Sequence, residues 1–381
     1  MKHYPFSPQI SVCIPVFETE PYLVKCLRSV YKQNFDSFEI IVVSDASRGT
    51  DEKKRSAKKI VRAMQKESNK WRKKNSLQSI EIRFVEHHEN RGLIEVRRTL
   101  CYEACGSFLT QVDSDDEMEE GALASLYDAA KKTGADIVHG TSTSGYYDAN
   151  DNFIPTKDNR YGTIFYGQIG ELADKNQPDN APAKCEPSSD DTSKKSDLTV
   201  FRNWLLEKKF TANTWGKLIK RELWLKAYEN IPYTECNMAD DVLLFFFLSQ
   251  YAHSYIGIKE KVYRYRVNTG MSSGRKIMTM HRWKMICSAA SVFTVISQWL
   301  EENDLGDDVL QEVKKMTSIY LANNLKQLHD TVVPELQKKA YELLCEFWGE
   351  SFVERMEKIH QIQNSSDSSE KIIVLNAFAK H

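Results

Sequence analysis

Short apolar runs alternate with helical patterns through the first half of the chain. Ile10 to Val16 and Phe38 to Val43 are nearly continuous apolar segments bounded by turn-forming residues, which predicts two buried strands. Between them Leu23, Leu27, Val30 and Tyr31 recur at the three-to-four spacing of an amphipathic helix. Leu93 to Cys105 and Gly121 to Lys132 predict further helices, with strands at Phe108 to Val112 and Asp136 to His139. This alternation predicts βαβ units and an α/β fold with a mostly parallel central sheet flanked by helices.

The pattern dissolves between about Asp148 and Asp197. Its stretch at about 170–198, rich in Asp, Lys, Ser and Pro, is expected to be a mobile surface insertion. Order resumes at Phe201 to Leu206. Val242 to Leu248 predicts a buried helix behind the acidic pair Asp240-Asp241, Ile277 to Phe352 is helical by period, and Gln363 to Glu370 is polar and expected to be loose.

Composition narrows the class without naming a chemistry. The chain has 381 residues, 41% hydrophobic and 28% charged, with a formal net charge of -1, so there is no global pull toward nucleic acid. The apolar run Val242 to Leu248 is far short of the roughly 20 residues that span a bilayer. Met1 to Phe6 lacks the apolar core of a secretory signal, and the cysteines include no Cys-x-x-Cys pair, so a reducing cytoplasm is expected. Cys101 and Cys105 are expected to share a helix face as buried thiols.

Charge is unevenly placed. Asp51 to Lys74 holds 11 Lys/Arg and 3 Asp/Glu. A helix at about 52–66, reaching toward Lys74, carries Arg55, Lys58, Lys59, Arg62 and Lys66 on one side and Ala57, Ile60, Val61 and Met64 on the other. Its basic side is either a solvated face or a peripheral contact with the membrane through anionic lipid. Asp113, Asp115 and Asp116 crowd three carboxylates into four positions after a strand, where a divalent cation would offset their repulsion. Asp116 also reads as a helix cap. Asp45 ends the second strand and, by the carboxyl-end rule for open α/β sheets, is expected in the same crevice; it also reads as a turn residue.

Taken in order, Ile14-Pro15-Val16-Phe17-Glu18, Val43-Ser44-Asp45-Ala46-Ser47, Asn90-Arg91-Gly92-Leu93 with Arg97, and Val112-Asp113-Ser114-Asp115-Asp116 resemble the successive motifs of family 2 glycosyltransferases. The resemblance is close over about 8–145 and looser through Trp215 to Leu223, Ala239-Asp240-Asp241 and Tyr263 to Arg266. It implies a Rossmann-like GT-A fold with a C-terminal helical extension: 1–145 as the nucleotide-sugar-binding part, 146–280 as the acceptor-binding part, and 281–381 as the helical region. It also implies an inverting, hexosyltransferase-type transfer from a nucleotide diphosphate sugar, most simply a UDP-sugar, to a glycan or lipid-linked acceptor in surface polysaccharide or lipooligosaccharide synthesis.

By the same resemblance Pro15, Phe17, Glu18, Asp45, Arg97, Asp113, Ser114 and Asp115 line the donor site. Asp113, Asp115 and Asp116 are the candidate ligands of Mn²⁺ or Mg²⁺. Asp241 is the general base, with Asp240 positioning the acceptor and Trp215 as an acceptor wall or a core residue. Asp240 and Asp241 also suit the N-terminus of a helix. Arg275 and Lys276 could close over the diphosphate. Glu18 stands where a polar Asn is common and Ala46 where a Gly is common, which leaves base specificity open. Thr279-Met280-His281-Arg282-Trp283 lacks the Gln of the processive Gln-x-x-Arg-Trp element, which points to transfer of a single sugar. The alternative is a noncatalytic nucleotide-sugar-binding or scaffold protein that recruits partners through its C-terminal helices. A dehydrogenase is disfavoured because Gly-x-Gly-x-x-Gly is missing, and a nucleotidyltransferase because no Gly-rich basic loop follows the first strand. Nothing in the sequence fixes the oligomeric state.

Overall fold

The computed structural model describes residues 8–157, 163–172, 198–270 and 276–364, with side chains to residue 359. Most of the expected insertion at about 170–198, together with Arg275 and the tail beyond Asn364, lies outside the described residues. Two compact units are formed, one from residues up to Thr234 together with Asp241–Gly270, the other from Glu235–Asp240 and the residues from Met271 on.

The first unit is built on one sheet. Its strands are β1 (Ile10–Val16), β2 (Phe38–Ser44), β3 (Ile82–Glu86), β4 (Phe108–Gln111), β5 (Glu117–Met118), β6 (Ile137–Tyr147), β7 (Phe153–Pro155), β8 (Gly167–Gly170), β9 (Lys217–Lys220) and β10 (Ser254–Arg266). Its helices are α1 (Glu20–Tyr31), α2 (Ala57–Lys74), α3 (Leu93–Glu103), α4 (Ala122–Thr133), α5 (Thr199–Leu205), α6 (Arg221–Asn230) and α7 (Asp240–Tyr251), of which Asp240 alone is assigned to the second unit. The strand order is β3-β2-β1-β4-β9-β6-β10-β5. β1, β2, β3 and β4 are mutually parallel, β6 is parallel to β10, and β9 runs antiparallel between β4 and β6.

Alternation decides which helix covers which face. Ile10, Val12, Ile14 and Val16 of β1 and Ile40 and Val42 of β2 join one core cluster with the inner residues of α1, α2 and α4, while α3 packs against the other face of the same strands. The chain order β1, β2, β3 grows one way from β1, and β4 pairs on its other side. That reversal opens a crevice at the carboxyl ends of β1 and β4. The second unit contains α8 (Met280–Cys287), α9 (Ala289–Glu302), α10 (Asp307–Asp330), α11 (Gln337–Trp348) and α12 (Glu350–Asn364). Its core gathers Trp283, Leu321, Leu325 and Leu344, and the Trp283 indole N–H donates to the Ala340 carbonyl at 2.8 Å. Among the described residues no helix is long and apolar enough to cross a membrane.

Several sequence expectations shift. The basic helix starts at Ala57 rather than 52, because Asp51 accepts from the backbone N–H groups of Lys53 and Arg55 and pairs with the Arg55 guanidinium. Those bonds hold a turn with Lys54 at φ 55°. The strand expected at Asp136 to His139 runs on to Tyr147, its later half being Gly, Ser and Thr that give no apolar run. α3 stops at Glu103, which leaves Cys105 exposed while Cys101 is buried.

Arg72, fully buried, ties the end of α2 to the α1–β2 connection. Its guanidinium donates to the carbonyls of Tyr31, Gln33, Phe35 and Gln78 and pairs with Asp36 at 3.0 Å. Replacing it strands several buried carbonyls at once. Arg72→Leu is expected to lower unfolding free energy by about 3–5 kcal/mol in urea titration, whereas Lys73→Ala, at an exposed site, stays within about 0.5 kcal/mol of wild type.

Candidate active site

The crevice is bounded by the segments that follow β1, β2, β3 and β4. After β1, Pro15 and Val16 are buried, Phe17 is half-buried, and Glu18 is exposed at φ 56° with its N–H donating to the Ser47 hydroxyl at 2.8 Å. After β2, Asp45 is almost wholly buried and Ala46 sits at φ 54°. Both positive φ values fall where a side chain is strained, which accounts for Gly being the commoner residue at the second position in the resemblance.

Asp45 organises the neighbouring loops. Its carboxylate lies 2.7 Å from His87 Nδ1, accepts from the Arg91 N–H at 3.0 Å and from the Gly92 N–H at 2.9 Å. The other His87 nitrogen lies 2.9 Å from the Thr99 hydroxyl on α3. This carboxylate therefore anchors the turn that launches α3, which carries Arg97. Sequence reasoning placed Asp45 in the crevice and missed His87, a lone histidine after β3 with no motif to announce it.

The acidic turn is held from two sides. Arg97, buried, pairs with Asp113 at 3.2 Å, and the Ser114 hydroxyl lies 2.6 Å from that of Thr19. The Asp113 N–H donates to the Tyr263 hydroxyl at 3.1 Å, and that hydroxyl donates to Asp116 at 2.8 Å. The Arg266 N–H donates to the other Asp116 oxygen at 2.7 Å. Burial drives the Asp116 pKa well above the ordinary carboxylate range, with repulsion from Asp115 and Asp113 adding to it. Burial also raises Asp115, against the opposing hydrogen bond from Thr269 and the charge of Arg266. Tyr263 is raised too, first by burial and then by Asp116 and Asp113.

The three candidate metal ligands are therefore not equivalent. Asp116 is buried with a donor on each oxygen, whereas Asp113 and Asp115 are half-buried. Among the described residues no group of three His, Cys, Asp or Glu side chains is gathered to hold a metal.

At the start of α7, Asp240 is buried and Asp241 half-buried, with Ala239 before them at φ 62° and Asp241 accepting from the Val242 N–H at 2.8 Å. Lys217 on β9 is fully buried. Its ammonium donates to the carbonyls of Thr211 at 3.0 Å and Asn213 at 2.5 Å, and its pKa is driven down by burial against the favourable charge of Asp241. Trp215 is stacked on Tyr263, ring centres 4.6 Å apart, and on Tyr265 at 5.6 Å. At 7% exposure it belongs to the sheet's core cluster, so of its two sequence readings the geometry gives the packed one. Lys276 is exposed. Glu20, at the first turn of α1, is fully buried with neither carboxylate oxygen hydrogen-bonded, and nothing in its sequence context signals this.

Residues 11–186 match the family described as Glycosyl transferase family 2. Glycosyltransferase GlyA of Streptococcus pneumoniae serotype 4 is 26% identical over 269 residues, covering 70% of this chain and 31% of that protein. Glycosyltransferase GlyG of the same organism is 32% identical over 148 residues, 39% of this chain and 43% of GlyG. The GalNAc(5)-diNAcBac-PP-undecaprenol beta-1,3-glucosyltransferase of Campylobacter jejuni is 27% identical over 224 residues, 58% of this chain and 60% of its own length. The chain thus spans less than half the length of the first two relatives. With its four motifs in order at the strand ends, the chain is similar over residues 11–186 to glycosyl transferase family 2.

Proposed function

We propose that the protein is an inverting glycosyltransferase that moves a single sugar from a UDP-sugar to a hydroxyl of a glycan or lipid-linked acceptor, in the building of a surface polysaccharide or lipooligosaccharide. The observation that carries this is the meeting of Asp45 with its loop, the Arg97–Asp113 pair and Asp115 around one crevice at the carboxyl ends of β1, β2 and β4. The Campylobacter relative, named for an undecaprenol-linked substrate, supports a lipid-linked acceptor. Such an acceptor places the enzyme at the cytoplasmic face of a membrane.

In this reading Pro15 and Phe17 supply an apolar wall for the base, and Glu18 and Ser114 border the nucleoside. Arg97, held by Asp113, presents positive charge toward the diphosphate. A divalent metal, Mn²⁺ or Mg²⁺, on Asp115 and Asp113 would neutralise charge building on the leaving nucleoside diphosphate. Asp116 positions this turn through Tyr263 and Arg266 rather than standing open as a ligand. The acceptor oxygen attacks the anomeric carbon as its bond to the diphosphate breaks; the electron pair leaves with UDP and the hydroxyl proton passes to Asp241. Asp240 positions the acceptor. The lack of the Gln of a Gln-x-x-Arg-Trp element ahead of Arg282-Trp283 supports single transfer over polymerisation.

Calorimetry with UDP- and GDP-sugars, in Mn²⁺, Mg²⁺ or EDTA, tests the donor, followed by nucleotide release on adding acceptor. A UDP-sugar is expected to bind only with metal, and binding that survives EDTA unchanged would remove the metal from the account. Asp115→Asn is expected to weaken the metal-dependent part of donor affinity by at least about tenfold. Asp241→Asn should cut transfer by about 10²–10⁴-fold while UDP affinity holds within about twofold; near-normal transfer by that variant would shift the base to Asp240.

A further inference from the structure

We infer that the exposed face of α2 is a docking surface for an anionic lipid membrane. The choice of a membrane over another polyanion rests on the lipid-linked acceptor proposed above; the surface itself rests on the helix. Lys58, Arg62, Lys66, Lys70 and Lys74 follow one another at four-residue spacing, and all five are exposed. Every exposed charged side chain on the helix is a cation. Its one acid, Glu67, is half-buried and taken up by Arg28 and Tyr31. No ion pair reaches any of the five among the described residues.

Folding does not account for this charge. Successive members of the row are like charges four apart, which repel along a helix. The first turn contains Lys58 and Lys59 and no acid, so cations sit at the end where the helix dipole disfavours them. The inward residues Ile60, Val61 and Met64 already anchor the helix in the core. They also leave no apolar face to enter a bilayer, so contact would be adsorption by charge and sensitive to salt. The row from Lys58 to Lys74 runs about 24 Å along the helix, which suits an extended array of headgroups better than one small anion.

Topology places the row usefully. β2 and β3 are parallel, so α2 must carry the chain back from their carboxyl edge. Its Lys58 end therefore lies at the same edge of the sheet as Asp45. Docking along α2 holds the mouth of the crevice near the membrane plane, where a lipid-linked acceptor presents its sugar.

The test is co-sedimentation of the full chain with vesicles of phosphatidylcholine containing about 30% phosphatidylglycerol, against phosphatidylcholine alone, at about 0.1 M and 0.5 M salt. Wild type is expected to bind the anionic vesicles selectively and to be released by the higher salt. The variant carrying Lys58→Glu, Arg62→Glu, Lys66→Glu and Lys70→Glu is expected to partition about a hundredfold less or weaker still, with UDP-sugar binding unchanged. Should that variant fail to fold by circular dichroism, the four corresponding Gln substitutions are expected to lose about tenfold. Equal sedimentation with both vesicle types, a reversed variant that binds like wild type, or tighter binding to duplex DNA than to anionic vesicles would each overturn the inference. Vesicle binding without any UDP-sugar binding would sink the transferase reading and leave the docking surface standing; transfer to a water-soluble acceptor without vesicle binding would do the reverse.

Discussion

Three carboxylates within four residues must be kept apart from one another and still be kept together, and the clamp on Asp116 meets both demands. Tyr263 and the Arg266 backbone bind the two oxygens of the buried carboxylate, while Arg97 engages Asp113 from the other side. An unpaired buried carboxylate would be costly, and two donors make this one tolerable. The same clamp fixes the turn after β4 to β10, a strand nearly 150 residues later. What the crevice can bind therefore depends on a contact across the sheet as much as on the local motif.

A second brace lies on the other flank. Asp45 holds the Arg91–Gly92 turn and His87, and through that turn the start of α3. Arg97 is one helical turn further on. This flank of the crevice is thus a set of loops bound to each other, in which the position of Arg97 is inherited from Asp45. Residues at positive φ that are not glycine, Glu18, Ala46 and Ala239, stand beside the candidate site residues. Backbone strain of this kind persists where surrounding contacts over-determine it.

Much of this was readable in the sequence because its causes are local. Apolar runs of strand length, helical spacing between them and four motifs at strand ends gave the α/β fold and the crevice. What was not readable depends on distant partners. Nothing near Asp116 announces Tyr263, and nothing near Asp45 announces His87. β6 runs well beyond its apolar start because neighbouring strands, not its own Gly, Ser and Thr residues, keep it extended. The start of α2 was misplaced because the side chain of Asp51 offers the backbone a turn in competition with the helix. Trp215 could be read as wall or core, and only its stack on Tyr263 and Tyr265 decided where it lies.

β9 has a consequence for how the protein is made. This short strand, Lys217–Lys220, is the link between β4 and β6, pairing antiparallel with both. The ribosome delivers β4 and β6 long before β9, at about 5–20 residues per second. Until then each has an edge with unmet backbone groups, open to mispairing with another chain. A fragment cut at residue 186, where the family match ends, would keep all four motifs and still lack the strand that joins the halves of its sheet. Such a fragment is a poor unit for expression, and the nascent chain must pass through the same incomplete state each time it is synthesised.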